Sequence, residues 1–369
     1  MKPPFRFAQH GQSGLWISEV LPHLARHADD LCLINGMHHE TGIHEPGCVM
    51  RHTGECRFTR PSIGSWSTYG LGSESENLPA FVSVNPQDRN ESNGCYSNGF
   101  LPAVHHATSM RLGNQRTPPI RNVRNSFLST GDQRRQLDFI QRMNARYQQE
   151  TQADTQVDAV IESFERGYRM QAAVPALLEL GNETRATLNL YGLTPNGTGN
   201  AFSAQCLLAR RMAEAGVRFI EISSAGWDHH TGIATGIRNA CRGIDQPIAG
   251  LITDLKQRGL WDDTLLMWGG EFGRTPVMEP KPDNNHGRDH NAAGFTYWLA
   301  GGGIKGGMRY GATDELGYVA AENKVKVHDL HATVLHLLGL DHRRLSFRFG
   351  GRDYTLTDVD GEVVRDILA

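Results

Sequence analysis

Short apolar runs rich in branched residues alternate along this chain with amphipathic stretches, and that rhythm constrains the fold more than any other feature. It specifies an α/β protein with a mostly parallel sheet flanked by helices. "LCLING" (31 to 36) and "AFVSVN" (80 to 85) read as strands, and "VRFIEISSAGWDHH" (217 to 230) as a strand that spills into a loop. "TLLMWGGEFG" (264 to 273) and "GFTYWLAGGG" (294 to 303) are two more. Between them, "AFSAQCLLARRMAEAG" (201 to 216) has helical periodicity and closes on Gly216. "DQPIAGLITDLKQRG" (245 to 259) repeats the device, with Asp245 as N-cap and Gly259 at its end. Strand, helix and strand thus follow one another at right-handed crossover lengths. The segment 132–192 is polar, Gln-rich and helical in pattern, and is expected as a helical excursion from the sheet. "HATVLHLLGL" (331 to 340) is a further helix, and "YTLTDVDGEVVRDIL" a terminal hairpin around Asp360 and Gly361.

Bulk properties exclude several function classes. Lys plus Arg total 37 against 40 Asp plus Glu, a net charge of −3, so no chain-wide basic field argues for a nucleic-acid partner or an anionic membrane surface. No apolar stretch reaches the roughly 18 to 20 residues of a membrane span. The six cysteines are scattered without a C-x-x-C pair, which argues for free or buried thiols rather than a zinc knuckle or a disulfide framework. The opening "MKPPFRFAQHGQSG" has no signal-peptide pattern, so the chain as written reads as cytoplasmic.

In an open α/β sheet, ligands bind beyond the carboxyl ends of the strands. Those positions here are polar in one consistent way. Asp228, His229 and His230 follow the strand at 217, Glu271 and Arg274 follow the strand at 264, and Asp289 and His290 follow the next loop. His38, His39 and His44 follow "LCLING", and His328 and His331 stand before or in the first turn of the late helix. Carboxylates and neutral imidazoles are ligands for Zn²⁺ and related ions, and two such ions about 4 Å apart clamp the oxygens of a displacement at phosphorus or sulfur. Asp228 and His230 project to the same side of an extended backbone, and His328 and His331 share a helix face. Arg274 or Arg288 is placed to fork onto an oxyanion. Each item also has a plainer reading. Glu271 can cap a helix or pair with Arg274, and "GRDHN" can be an Asx-type loop. Gly269 and Gly270 are expected to turn the backbone sharply at the strand's end.

A long series of motifs carries a resemblance: "RPSIGSWSTYGLGSESENLPAFV", "CLLARRMAEAGVRFIEI", "GWDHH", "GGEFGRTP", "GRDHN", "LAGGGIKGG", "YGATDELGY" and "VHDLHATVLHLLGLDHRRLSFRFGGRDYTLTDVDGEVV". The chain resembles, nearly end to end, the sulfatase-like proteins of domain-of-unknown-function family 1501, a branch of the alkaline phosphatase superfamily. That resemblance implies an alkaline-phosphatase-like, doubly wound single domain over residues 1–369. It implies Asp289 and His290 as ligands of one metal, Asp228 with His230 as a contribution to the other, and His328 or His331 as the final ligand. Glu271 has no ligand counterpart.

Two departures qualify the expectation. The chain starts downstream of the Gly-Gly-Pro-Ser and Asp-rich segment of its relatives, so the sheet is expected to lack its first strand and one metal site a ligand. A lost leader would make the protein exported or periplasmic. In sulfatases a Cys or Ser opens the helix that "HEPGCVMRHTG" matches, whereas here His44 holds that place. Its imidazole is open to phosphohistidine chemistry, metal ligation or hydrogen bonding, with Cys48 one turn on as an alternative. The expected function is a hydrolase of phosphate or sulfate esters, small-molecule or glycan, dependent on a divalent metal (Zn²⁺, with Mn²⁺, Ca²⁺ or Mg²⁺ as alternatives) and using His44, Glu271 and Arg274 at the scissile group. The competing expectation is a non-catalytic anion- or glycan-binding protein on a degenerate scaffold.

Overall fold

The computed structural model describes residues 3–112, 119–120, 123, 127–150, 155–281 and 285–369. After an N-terminal hairpin, β1 (Leu31–His38) leads to α1 (His44–Thr53) and α2 (Ile63–Leu71). β2 (Phe81–Val84) and β3 (Thr108–Met110) precede two long helices, α3 (Thr130–Glu150) and α4 (Thr155–Leu178). Next come α5 (Ala201–Glu214), β4 (Phe219–Ile222), α6 (Ile233–Gln257) and β5 (Leu265–Trp268). Two two-residue strands, β6 (Gly273–Arg274) and β7 (His290–Asn291), lead to β8 (Phe295–Gly301), β9 (Met308–Tyr310), β10 (Val325–Lys326) and α7 (Val327–Leu337).

The α/β class holds, but the sheet is mixed and in two parts. In one part β9, β1, β8 and β5 lie side by side, with β10 also on β1. In the other, β3, β2 and β4 are all parallel. β1 runs parallel to β9 and β10, whereas β8 opposes both β1 and β5. The reason lies in the path of the chain. Residues 269–281 and 285–294 lie beyond the end of β5 at the rim, so the chain re-enters the sheet from the end it left, and a strand that does so must run antiparallel. Among the described residues β4 and β5 are each hydrogen-bonded to a strand on one side, yet both border the same two cores through Ile222, Leu266 and Trp268 on one face and Phe219, Leu265 and Met267 on the other.

Burial on both faces explains why the strands read as continuous apolar runs. Along β1, Leu31 and Leu33 enter the core beneath α5 and α6, while Cys32 and Ile34 enter the core beneath α2 and α7. Trp298 and Ala300 alternate with Tyr297 and Leu299 in the same way along β8. All six cysteines are free thiols.

Two expectations about local structure are corrected. α6 starts at Ile233, so Asp245 is inside the helix and does not cap it. The helix runs through Pro247, which deprives the Gly243 carbonyl of its usual amide donor, and the Asn200 side chain donates to that carbonyl instead at 2.5 Å. Asp245 accepts from the backbone amides of His23 (2.9 Å) and Leu24 (2.8 Å), and so caps a different helical turn, 222 residues away in sequence. The C-terminal hairpin pairs Phe347–Phe349 with Arg352–Tyr354 and turns at Gly350 and Gly351, not at Asp360 and Gly361. Both Gly350 and Gly351 have the left-handed backbone that such a turn uses.

Candidate metal centre

Three strands, β1, β4 and β5, deliver the site from their carboxyl ends. His44 opens α1 after β1, Asp228 and His230 lie on the loop after β4, and Glu271 and Arg274 lie on the excursion after β5. That excursion folds back on itself, pairing Gly273 with Asn291 and Arg274 with His290. Its return passes so close to the β4 loop that a Cβ at Gly287 would collide with the His229–His230 backbone, and Arg288 N–H donates to the His229 carbonyl at 3.1 Å. Glycine is therefore needed at 287 for close approach. Neither Gly269 nor Gly270 has left-handed backbone, so the bend at Glu271 does not draw on glycine's conformational freedom at these two positions. Gly269 is small because a Cβ there would enter the Tyr297 ring, whose hydroxyl donates to the Gly270 carbonyl at 2.7 Å.

Helix α1 is fixed to β4 by a buried ionic contact. Glu221 of β4 accepts from His52 Nε2 at 2.8 Å and from Arg51 at 3.3 Å. Burial alone would raise the Glu221 pKa, but the charges and hydrogen bonds of His52 and Arg51 outweigh it and hold the carboxyl at about 2. A folded-state value of about 2 lies below the ordinary 4.5, so the resulting stabilisation is present above pH 4.5 and is lost as pH falls toward 2. The gap corresponds to roughly 3 kcal/mol. Thermal unfolding followed from pH 6 to pH 3 is expected to show wild type and Glu221→Gln converging, with wild type much the more stable at the upper end.

Three imidazoles and one carboxylate meet above α1. His44 Nε2 lies 3.1 Å from Asp228 Oδ2, His230 Nε2 lies 3.0 Å from Asp228 Oδ1, and His290 Nε2 lies 3.3 Å from the same oxygen. The Nε2 atoms of His230 and His290 are 3.0 Å apart. Every Nδ1 faces an acceptor: Glu271 Oε1 at 2.5 Å from His44, Glu279 Oε2 at 2.7 Å from His230, and the Gly42 carbonyl at 2.7 Å from His290. A neutral imidazole has one ring proton, and an acceptor at Nδ1 places it there. The three Nε2 atoms then converge on one carboxylate, an arrangement that suits positive charge among them, whether carried by a metal ion or by protons on the rings. His44 Nε2 is buried and, among the described residues, has no partner in hydrogen-bond geometry. Two donor groupings emerge, His44–Asp228–His290 and His230–Asp289–His290, each with its ligand atoms within 4.8 Å of one another.

Arg274 supplies part of that charge. It donates to Asp228 Oδ1 and to the Arg288 carbonyl, the latter at 3.0 Å, and does not pair with Glu271. Burial pushes the Asp228 carboxyl up, but hydrogen bonds from Arg274 and His290 and the nearby cationic charge hold it well below the usual range. Asp289 is exposed at the rim, with one oxygen on the His290 amide at 2.7 Å. Burial first, and then the Glu271 charge, push the Cys48 thiol up to about 12, so it keeps its proton.

His328 and His331 share a helix face, but that face meets the end of α1 and not the cluster. His328 Nε2 donates to the Gly54 carbonyl at 2.7 Å and His331 Nε2 to the Arg51 carbonyl at 2.8 Å. Burial drives His331 down to about 3, leaving it neutral. Neither belongs to the two donor groupings. Glu279 and the Gly42 carbonyl are the site groups that sequence reasoning missed. A lone Glu in "TPVMEP" has no spacing to signal its role, and a backbone carbonyl leaves no sequence mark at all.

No described helix is long and apolar enough to cross a membrane. A family model described as "Protein of unknown function (DUF1501)" matches residues 1–368. No curated protein matches the chain. Among solved structures, Ps i-CgsB in complex with k-i-k-neocarrahexaose is 12% identical with a TM-score of 0.39, over 86% of this chain and 66% of that one. The phosphonate monoester hydrolase SpPMH from Silicibacter pomeroyi is 13% identical with a TM-score of 0.40, over 94% of this chain and 71% of that one.

Proposed function

Given that the chain belongs to the DUF1501 family, we propose that it is a metal-dependent hydrolase of phosphate or sulfate esters built on an alkaline-phosphatase-like single domain, with residues 132–192 as a helical insertion. The observation that carries this reading is the meeting of three imidazoles, each anchored at Nδ1, through their Nε2 atoms on Asp228. His44, Asp228, His230 and His290 would hold one divalent ion, and a three-nitrogen, one-oxygen donor set favours Zn²⁺. A single ion is favoured because both groupings draw on His290 Nε2, the other ring nitrogen being committed to Gly42. When bound, the ion supplies Lewis-acid polarisation of an ester oxygen.

The chain's own groups complete the chemistry. Arg274, already aligned by Asp228 and Arg288, takes an anionic oxygen of the ester through its remaining N–H donors. Asp289 accepts the proton of an attacking water on its free oxygen. Cys48 keeps its proton and His44 is engaged in the cluster, so the reading uses no covalent nucleophile. That same observation favours the second reading, a protein that binds an anion or glycan beside its ion without turnover.

An assay of the Zn²⁺-loaded protein on aryl phosphates and aryl sulfates separates the two. Cleavage of one class is expected, falling about 10²- to 10⁴-fold in Asp289→Ala with the ion retained. Anion binding without cleavage of either class would reject the hydrolase and establish the binding protein.

A further inference from the structure

We infer that Glu279 is the positioning residue that presets His230 to receive the ion, an assignment that rests on the metal-centre reading above. Glu279 is gripped from three directions. One carboxylate oxygen faces His230 Nδ1 at 2.7 Å, and the other takes Lys281 Nζ at 2.5 Å. Its backbone N–H donates to the Gly287 carbonyl at 2.9 Å, at the residue that lies against the His229–His230 peptide. The strap that carries it is closed at its base by Thr275 N–H on the Asp289 carbonyl at 2.9 Å and by the Arg288 side chain on the Thr275 carbonyl at 3.2 Å.

The strap thereby registers a carboxylate against His230 and the ligand loop against Asp289 and His290 in one unit. A solvent-accessible Lys–Glu pair by itself contributes little, so the contact that gives Glu279 its role is the one to His230. A carboxylate on Nδ1 of a ligating imidazole fixes the ring's orientation, keeps the proton off Nε2 and raises the basicity of that nitrogen. His44 receives the same service from Glu271, while His290 has only the Gly42 carbonyl.

The test measures Zn²⁺ affinity of the full chain by competition with a chromophoric chelator. Glu279→Ala is expected to weaken binding about 10- to 100-fold. Glu279→Gln is expected to recover most of that loss, because its amide oxygen still accepts the Nδ1 proton. Nitrogen-15 imidazole spectra of the metal-free protein are expected to place the His230 proton on Nδ1 in wild type and Glu279→Gln, and to show mixed tautomers in Glu279→Ala. Equal Zn²⁺ affinity and an unchanged tautomer in Glu279→Ala, with wild type binding normally, would overturn the role of Glu279 and leave the metal centre standing. Failure of wild type itself to bind Zn²⁺ would overturn the metal centre and this role with it.

Discussion

Purified protein is expected to hold close to one equivalent of a divalent ion by elemental analysis, and His290→Ala to lose it. His290 is the one residue common to both donor groupings. Its Nδ1 is fixed on Gly42, its ring packs on Phe272 at 4.4 Å, and its Nε2 is left to face Asp228 and His230. Truncation removes a donor from the centre of the cluster and lets the His230 ring relax toward solvent. The loss should exceed the roughly 10- to 100-fold typical of groups that only support a ligand. The variant should still fold, because Arg274 continues to neutralise Asp228. An ion bound to the folded state also stabilises it, by about 4 kcal/mol at a thousandfold excess over Kd. A chelator should therefore lower the thermal midpoint of wild type and leave that of His290→Ala unmoved. Two equivalents in wild type, or full occupancy in His290→Ala, would reject a single centre organised on this imidazole.

Much of the architecture was legible because local pattern and tertiary demand agree in it. The runs at 31, 80, 217, 264 and 294 are strands, and the helices at 201 and 327 end near glycines with left-handed backbone, Gly216 and Gly339. What local pattern does not carry is direction. β8 opposes its neighbours because the excursion at 269–294 returns at the end it left, a fact about path and not composition. Asp245 has the composition of an N-cap and performs that task, but for a turn at residues 23 and 24 that no local window includes. The same limit governs the site. Acidic and imidazole residues after strand ends announce themselves, and Asp228, His230 and His290 do converge. The shared face of His328 and His331 was equally readable, but its destination, the terminal carbonyls of α1, depends on helix packing that spacing does not encode. Glu279 was invisible because its partner is 49 residues away across a strap whose course only tertiary structure defines.

The helical layer behind β4 and β5 allows fold stability and ion binding to be separated. Arg210 of α5, whose side chain is 2% exposed, lies 2.6 Å from Glu183, 2.6 Å from Glu214 and 2.8 Å from Asp254 of α6. Asp254, 3% exposed, also accepts from Tyr191 at 2.9 Å and from Arg258 at 2.7 Å. Removing the central cation leaves the buried Asp254 and the half-buried Glu183 with partial compensation, and breaking a buried pair from one side costs about 3–5 kcal/mol. Arg210→Met should therefore be strongly destabilised in urea. The Arg210→Met/Asp254→Asn double variant should recover part of the loss, because the most deeply buried of the orphaned charges is then also removed. Neither change touches a group in the ion cluster, so the folded fraction should bind Zn²⁺ with wild-type affinity. An Arg210→Met protein within about 1 kcal/mol of wild type would mean that Arg258 and Arg211 neutralise the network unaided. Loss of Zn²⁺ affinity in the folded variant would instead mean that the packing of α5 on α6 sets the position of the β4 loop.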